Sequence, residues 1–204
     1  MIKKEIYPKT KRVSLSGDKV YLTEKLDGSN LTFFKKGDKL YIAQRNNIIC
    51  VDEVEEQKGI LYKGLYQWLI DNKEELENEL YNNSAICGEW LGMGCLKYTI
   101  DEFDKKWYMF AKANIDDDLN LYNLIYDHSL FIYPFVSQKI PKFIGIVPEV
   151  VFLNVLPDKE HLDSIYKKYC EKVNRDVEGF VINYKNNISK YVRMKNGKLQ
   201  EHHE

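Results

Sequence analysis

Three features of the sequence predict an α+β domain of largely antiparallel sheets flanked by helices. Runs rich in β-branched and aromatic residues are short and numerous, helical periodicity is confined to a few longer stretches, and the two do not alternate as a parallel sheet requires. Doubly wound folds are further disfavoured because neither G-x-x-x-x-G-K-S/T nor G-x-G-x-x-G occurs. With 204 residues, 44% hydrophobic and 30% charged, the chain can build one sizeable core, and no repeat or linker divides it. A single domain over 1–204 is therefore expected.

The first strand is read at 19–24 and the second at 31–35, with Lys36-Gly37-Asp38 turning the chain into a third at 40–43. Between Ile60 and Leu80, Leu61, Leu65, Trp68, Leu69, Leu76 and Leu80 recur at three- and four-residue spacing. Lys63, Asp71, Lys73, Glu74 and Glu77 fall on the other side, the pattern of a helix with one buried face. Strands are expected at 84–90 and 107–113, a helix at 118–126, a strand at 147–153 and, after Pro157-Asp158, a helix at 158–173. Gly179–Tyr184 and Lys190–Met194 close the chain as strands around an Asn186-Asn187 turn.

No run approaches the roughly 18 apolar residues of a membrane helix, and Met1-Ile-Lys-Lys-Glu-Ile6 lacks the core of a secretory signal, so a cytoplasmic protein with no membrane partner is expected. Cys50, Cys87, Cys95 and Cys170 form no C-x-x-C pair and have no histidine pair at metal spacing, which reads as reduced, mostly buried thiols. His128 and His161 are isolated, and His202-His203 lie in a polar tail. Thirty basic against 31 acidic residues give a net charge of −1, so any nucleic-acid surface must be local. Arginine occurs only at 12, 45, 175 and 193 in a lysine-rich chain, which makes each arginine the more informative residue. Lys3, Lys4, Lys9, Lys11 and Arg12 read equally as contacts to an RNA backbone and as a solvated edge.

Glu24-Lys25-Leu26-Asp27-Gly28-Ser29-Asn30 puts a lysine at a strand end, where the sheet holds it, and a glycine three residues on, suited to φ > 0 or close backbone approach. Alone, the segment reads equally as a solvated D-G hairpin turn. Later segments change that. Lys25-Leu-Asp-Gly28 resembles the K-x-D-G signature of covalent nucleotidyltransferases, the ATP-dependent polynucleotide ligases and mRNA capping enzymes. Gly88-Glu89-Trp90-Leu91-Gly92 is similar to their third motif, Trp107-Tyr-Met-Phe110 to the aromatic strand after it, and Glu178-Gly179-Phe180-Val181-Ile182 to their fourth. Val192-Arg193-Met194-Lys195 resembles the fifth, usually V/I-K-x-K, and Arg45 stands where ligases carry an arginine one strand after the nucleophile.

The resemblance runs from Tyr21 to Lys195 and implies a nucleotidyltransferase domain, the ATP-grasp-like adenylation fold of ligases. It implies an ATP-dependent RNA ligase that joins 3′-hydroxyl and 5′-phosphate ends through AMP held covalently on Lys25 and an RNA-adenylate, with Mg²⁺ or Mn²⁺. Asn30 and the short chain look most like the phage-type RNA ligases that act at nicks or duplex ends, which implies RNA repair in a bacterial or phage-infected cell. Lys25 is then the nucleophile and must lose its proton, and Arg193 and Lys195 are the cations that assist it and neutralise phosphate charge. Glu178 is the metal-facing carboxylate, since Mg²⁺ takes one or two protein carboxylates and completes its shell with water and phosphate oxygens. Glu89 accepts from ribose hydroxyls, Phe110 stacks on adenine with Tyr108 on its face, and Gly28, Asn30 and Arg45 complete the nucleotide contacts. Without the ordered motifs, either glutamate reads as a salt-bridge partner and Phe110 as a core residue. Glu24 reads both as a contact to the purine edge and as an ordinary ion pair.

One position departs from the family pattern. Arg193 replaces the usual lysine; it keeps the charge and can grip phosphate bidentately, but cannot be neutral. Lys190 is not counted, because strand alternation puts it on the face opposite Arg193 and Lys195. Only nine residues follow Lys195, so no OB-fold or helical domain is expected after it; either a partner protein supplies further RNA-binding surface, or the protein favours the self-adenylation and sealing steps, or the natural chain is longer. Two other functions fit the same residues: a capping-type guanylyltransferase, and a non-catalytic module that binds nucleotides or RNA ends.

Overall fold

The computed structural model describes residues 2–4, 11–12, 20–184, 187–195 and 198–199. In chain order the elements are β1 (Ile2–Lys3), β2 (Lys11–Arg12), β3 (Val20–Lys25), β4 (Ser29–Lys36), β5 (Lys39–Gln44), β6 (Asn47–Cys50), α1 (Leu65–Glu79), β7 (Ser84–Trp90), β8 (Trp107–Ile115), β9 (Leu121–Ile125), β10 (Ile144–Ile146), β11 (Glu149–Leu153), α2 (Lys159–Val173), β12 (Gly179–Tyr184), β13 (Asn187–Val192), β14 (Met194–Lys195) and β15 (Lys198–Leu199). The class is α+β with mostly antiparallel pairing; β10 beside β8 and β2 beside β13 are the parallel pairs among the described strands. No helix among the described residues is long and apolar enough to cross a membrane.

The chain forms two compact units, one built mainly of 28–93 and 98–146, the other of 20–27, 94–97 and the chain from 147 onward. In the first, an eight-stranded sheet runs β1-β6-β5-β4-β7-β8-β10, with β9 also on β8. Leu31 and Phe33 of β4, Ile42 of β5 and Ile86 of β7 bury one face with Leu65, Trp68, Leu69 and Leu76 of α1. Phe33 stacks on Trp68 at 5.3 Å between centroids and meets Trp107 edge-on at 5.0 Å. The buried indoles find acceptors: Trp107 Nε1 donates to Leu31 O at 2.9 Å and Trp90 Nε1 to Lys63 O at 3.2 Å. Truncating a ring such as Phe33 to alanine is worth about 3–5 kcal/mol at a site of this kind.

Two differences from the sequence reading have clear causes. The first helix begins at Leu65, not near Ile60, because Leu61 is extended and Gly64 is left-handed (φ 82°). The helix expected at 118–126 is instead strand β9. Asp116 closes the preceding turn by accepting from Asn120 N at 2.8 Å, and Leu119 and Asn123 take left-handed φ values of 58° and 51°. Leu119, Leu121 and Leu124 then pack on Phe34, Ala113 and Ile115 on the sheet's second face. Their helix-like spacing is thus satisfied by sheet packing, with aspartate turn chemistry deciding the local fold. Strands β6 and β10 have no counterpart in the sequence reading. Cys50 and Cys87 are buried and Cys95 is exposed.

The second unit is a five-stranded sheet, β11-β3-β12-β13-β2, with the small pair β14-β15. Val20 and Leu22 of β3, Phe180 and Ile182 of β12 and Tyr191 of β13 share one face, buried against Leu162, Tyr166 and Tyr169 of α2. That helix starts where Pro157-Asp158 predicts: the Asp158 side chain caps it, accepting from His161 N at 2.8 Å. The last hairpin differs in register from the expectation. Strand β13 begins at Asn187 and ends at Val192, and the Asn186 half of the expected turn lies outside the described residues.

Candidate active site

Lys25 ends β3, and its partners come from the adjacent strand β12. Gly179 pairs with Lys25 on one side and Val192 on the other. A Cβ on Gly179 would collide with the Tyr191 carbonyl, and its φ of 155° lies where glycine is favoured, so the chain can pass here only as glycine. Just before it, Glu178 accepts a hydrogen bond from Lys25 Nζ on Oε2 at 2.6 Å; the two side chains are 24% and 17% exposed. Burial pushes the Glu178 carboxyl above its ordinary range, opposed by the charge and hydrogen bond of Lys25; Asp27 pushes it further up and Lys190 pulls it down. Asp27 is engaged as well: its Oδ2 accepts from Cys95 N at 2.6 Å and Leu96 N at 2.8 Å.

The other face of β3 holds a closed arrangement. The Glu24 side chain is fully buried, takes a bidentate pair from Arg175 (2.6 and 2.7 Å) and accepts from Tyr169 Oη at 2.8 Å. Of the two readings of Glu24, the ordinary ion pair is the one its side chain makes. Arg193 turns to the same side: Nη1 lies 3.1 Å from Asp163 Oδ1 on α2, and the guanidinium sits 5.7 Å over the Tyr166 ring. Its Nε is buried without a hydrogen-bond partner among the described residues. Lys195 is exposed on β14. The structure thus brings Lys25 and Glu178 together and draws Arg193 to α2.

A second constellation forms within the first unit. Asn30 on β4 pairs with Glu89 on β7, which pairs with Tyr108 on β8. Gly28 packs so tightly that a Cβ would overlap the Trp90 carbonyl and the Glu89 side chain; its role is close backbone approach to β7. Arg45 sits at the turn between β5 and β6 with φ 46° and is exposed. Phe110, half-buried, is the extra residue where the β7–β8 register shifts, a bulge of the kind that re-aims a side chain.

Tyr62, which no motif marks, ties these residues together. Its hydroxyl donates to Asn30 O at 3.1 Å. Burial raises its phenol; the Arg45 charge opposes this, Glu89 adds to it, and hydrogen bonds with Ser29 and Arg45 lower it. Three polar side chains, of Ser29, Arg45 and Glu89, and the Asn30 carbonyl therefore converge on one phenol, and a lone tyrosine before a helix gives no sequence signal of this.

The match to known families follows these motifs. A family model for RNA ligases covers residues 18–196. The chain belongs to the RNA ligase family. Solved structures agree on the fold. An archaeal ATP-dependent RNA ligase superposes with a TM-score of 0.56 at 14% identity, covering 92% of this chain and 48% of its own. A putative ATP-dependent DNA ligase from Aquifex aeolicus gives 0.52 at 17%, covering 92% and 49%. A Naegleria gruberi RNA ligase variant with ATP and Mn gives 0.53 at 20%, covering 94% and 56%. The chain spans about half the length of these family structures. No curated protein sequence matches significantly.

Proposed function

We propose that this chain is the adenylation domain of an ATP-dependent RNA ligase that seals RNA 3′-hydroxyl and 5′-phosphate ends. The observation that carries the reading is the Lys25–Glu178 pair: a strand-end lysine held at 2.6 Å by a carboxylate, in a chain of the RNA ligase family. Glu178 orients the amine, and half-burial of both groups strengthens that hold.

In the reaction, Lys25 Nζ gives up a proton and directs its lone pair at the α-phosphorus of ATP. The N–P bond forms while the bridging P–O bond to the β-phosphate breaks, and pyrophosphate leaves with that electron pair. A second proton leaves the nitrogen, giving the phosphoramidate with an uncharged nitrogen and a singly negative phosphoryl group. The AMP passes to a 5′-phosphate, whose oxygen displaces Lys25, and a 3′-hydroxyl then displaces AMP. Glu89 and Asn30 serve the ribose, Arg45 adds a cation, Gly28 holds the backbone against β7, and Phe110 offers its ring to adenine. Lys195 faces phosphate.

Mg²⁺ or Mn²⁺ would be held by Glu178 and would neutralise phosphate charge. A hard cation of this kind takes one or two protein carboxylates and completes its shell with water and phosphate oxygens. The substrate class is RNA ends, nicked duplexes included, in a bacterial or phage-infected cell, with a partner protein adding RNA-binding surface.

The test is intact-protein mass spectrometry after incubation with Mg²⁺ and ATP or GTP, beside Lys25→Ala. An AMP adduct from ATP, removed by pyrophosphate and missing in the variant, is expected, followed by joining of 5′-phosphorylated RNA. A GMP adduct would shift the reading to capping chemistry, and no adduct on folded, nucleotide-free protein would sink it.

A further inference from the structure

The five-stranded sheet sorts its side chains in a way the motif pattern does not announce. Lys25, Gly179 and Val192 lie side by side across β3, β12 and β13, and two residues along come Thr23, Val181 and Lys190. Residues two apart on a strand share a face. Lys190 therefore stands on the face of Lys25. The intervening Tyr191 confirms the sorting: it stacks on Phe180 at 5.9 Å and hydrogen-bonds Asp163, both on the α2 side. Arg193 follows Tyr191 to that side and is held by Asp163 and Tyr166.

Resting on the ligase reading, we infer that Lys190 is a phosphate-binding residue of the Lys25 site, in the role the sequence motif gives to Arg193, and that Arg193 instead clamps the last hairpin to α2. Three further observations support this. The Lys190 charge is felt at Glu178, the partner of Lys25. Lys190 forms no ion pair among the described residues, where its charge meets that of Glu178 only at longer range. Asn183, next on the same face and diagonal to Lys190, keeps a buried Oδ1 with no hydrogen-bond partner among the described residues. A buried acceptor left in that state is stabilised when a donor from a ligand or its hydration shell arrives. The face thus carries a cation two residues along the sheet from Lys25 and an unpaired acceptor two residues further on, a row suited to a hydrated polyphosphate extending away from the lysine.

The assignment also explains why arginine is tolerated in the fifth motif. A side chain that must lie across a tyrosine ring and meet a carboxylate suits a planar guanidinium. A residue facing a transferring phosphoryl group beside an amine suits a lysine, a compact donor with three protons.

The decisive experiment is the rate of AMP-adduct formation on the full chain, with Mg²⁺ and an ATP concentration series, for wild type, Lys190→Gln, Lys190→Arg and Arg193→Gln, each also melted thermally. Lys190→Gln should melt as wild type does yet lose about 30-fold in adduct formation at low ATP, the size of one charged hydrogen bond. Lys190→Arg should recover most of that loss, which a merely structural position would not show. Arg193→Gln should melt several degrees lower. If wild type takes AMP and Lys190→Gln labels within threefold of it, Lys190 is not at the phosphate and the inference falls alone. If wild type takes no AMP, the ligase reading falls and the inference with it.

Discussion

The two faces of the five-stranded sheet handle charge in opposite ways. On the α2 face Glu24 is fully buried, and both carboxylate oxygens are taken, by Arg175 and Tyr169. On the other face Lys25 and Glu178 share one short hydrogen bond and remain partly open to solvent, and Lys190, whose charge acts on Glu178, forms no ion pair among the described residues. A buried charge left without its partner is costly, so the α2 face is saturated and fixed. The Lys25 face holds a pair that a stronger anion or cation can divide. Two glutamates of one sheet thus end in different settings, Glu24 closed within an ion pair and Glu178 partly open beside Lys25.

The contrast is broken most completely by Lys25→Ala, which should abolish the AMP adduct and leave the melting temperature near wild type, read by mass spectrometry and thermal melting. Arg175→Met should do the reverse. It strands the buried Glu24 charge and should destabilise the second unit by about 3–5 kcal/mol in denaturant unfolding. Glu178→Gln sharpens the comparison from the open side: it keeps a hydrogen-bond acceptor for Lys25 but loses the charge, and should slow adduct formation by about 100-fold with little change in stability. The smallest effect is expected from Tyr191→Phe, which removes one hydrogen bond to Asp163 on the closed side and should cost about 1 kcal/mol without changing the adduct rate per folded molecule.

The strands and the motif residues on them were legible in the sequence because the information is local: alternation for β3, β4, β7, β8 and β12, and capping chemistry for α2. Motif order singled out both Lys25 and Glu178, but their direct hydrogen bond was not read from the sequence, which assigned Glu178 to a metal ion. Nor were the faces. Arg193 N and Met194 N both donate to Glu178 O, at 2.8 and 3.0 Å, and this bulge ends β13 so that Arg193 and Lys195 no longer alternate as an unbroken strand would. Whether Lys190 or Arg193 stands beside Lys25 depends on the β12–β13 register, which is set by a hairpin and not by the motif. Glu24 found Arg175, 151 residues away in sequence, and Tyr62 drew Arg45, Ser29 and Glu89 together, through tertiary contacts that no spacing encodes. Strand β9 was misread because leucines at helical spacing can also face a sheet when aspartates supply the turn.

The tie between Asp27 and the backbone of Cys95 and Leu96 has a practical side. The segment 94–97, with an exposed cysteine, resembles an ordinary surface turn that would accept an inserted peptide or a bulky label. It is anchored to Asp27, two residues from Lys25, and a Cβ on Gly94 would run into Asp27 itself. Anyone engineering this domain for labelling or fusion should therefore treat the turn as part of the lysine's mounting and attach elsewhere.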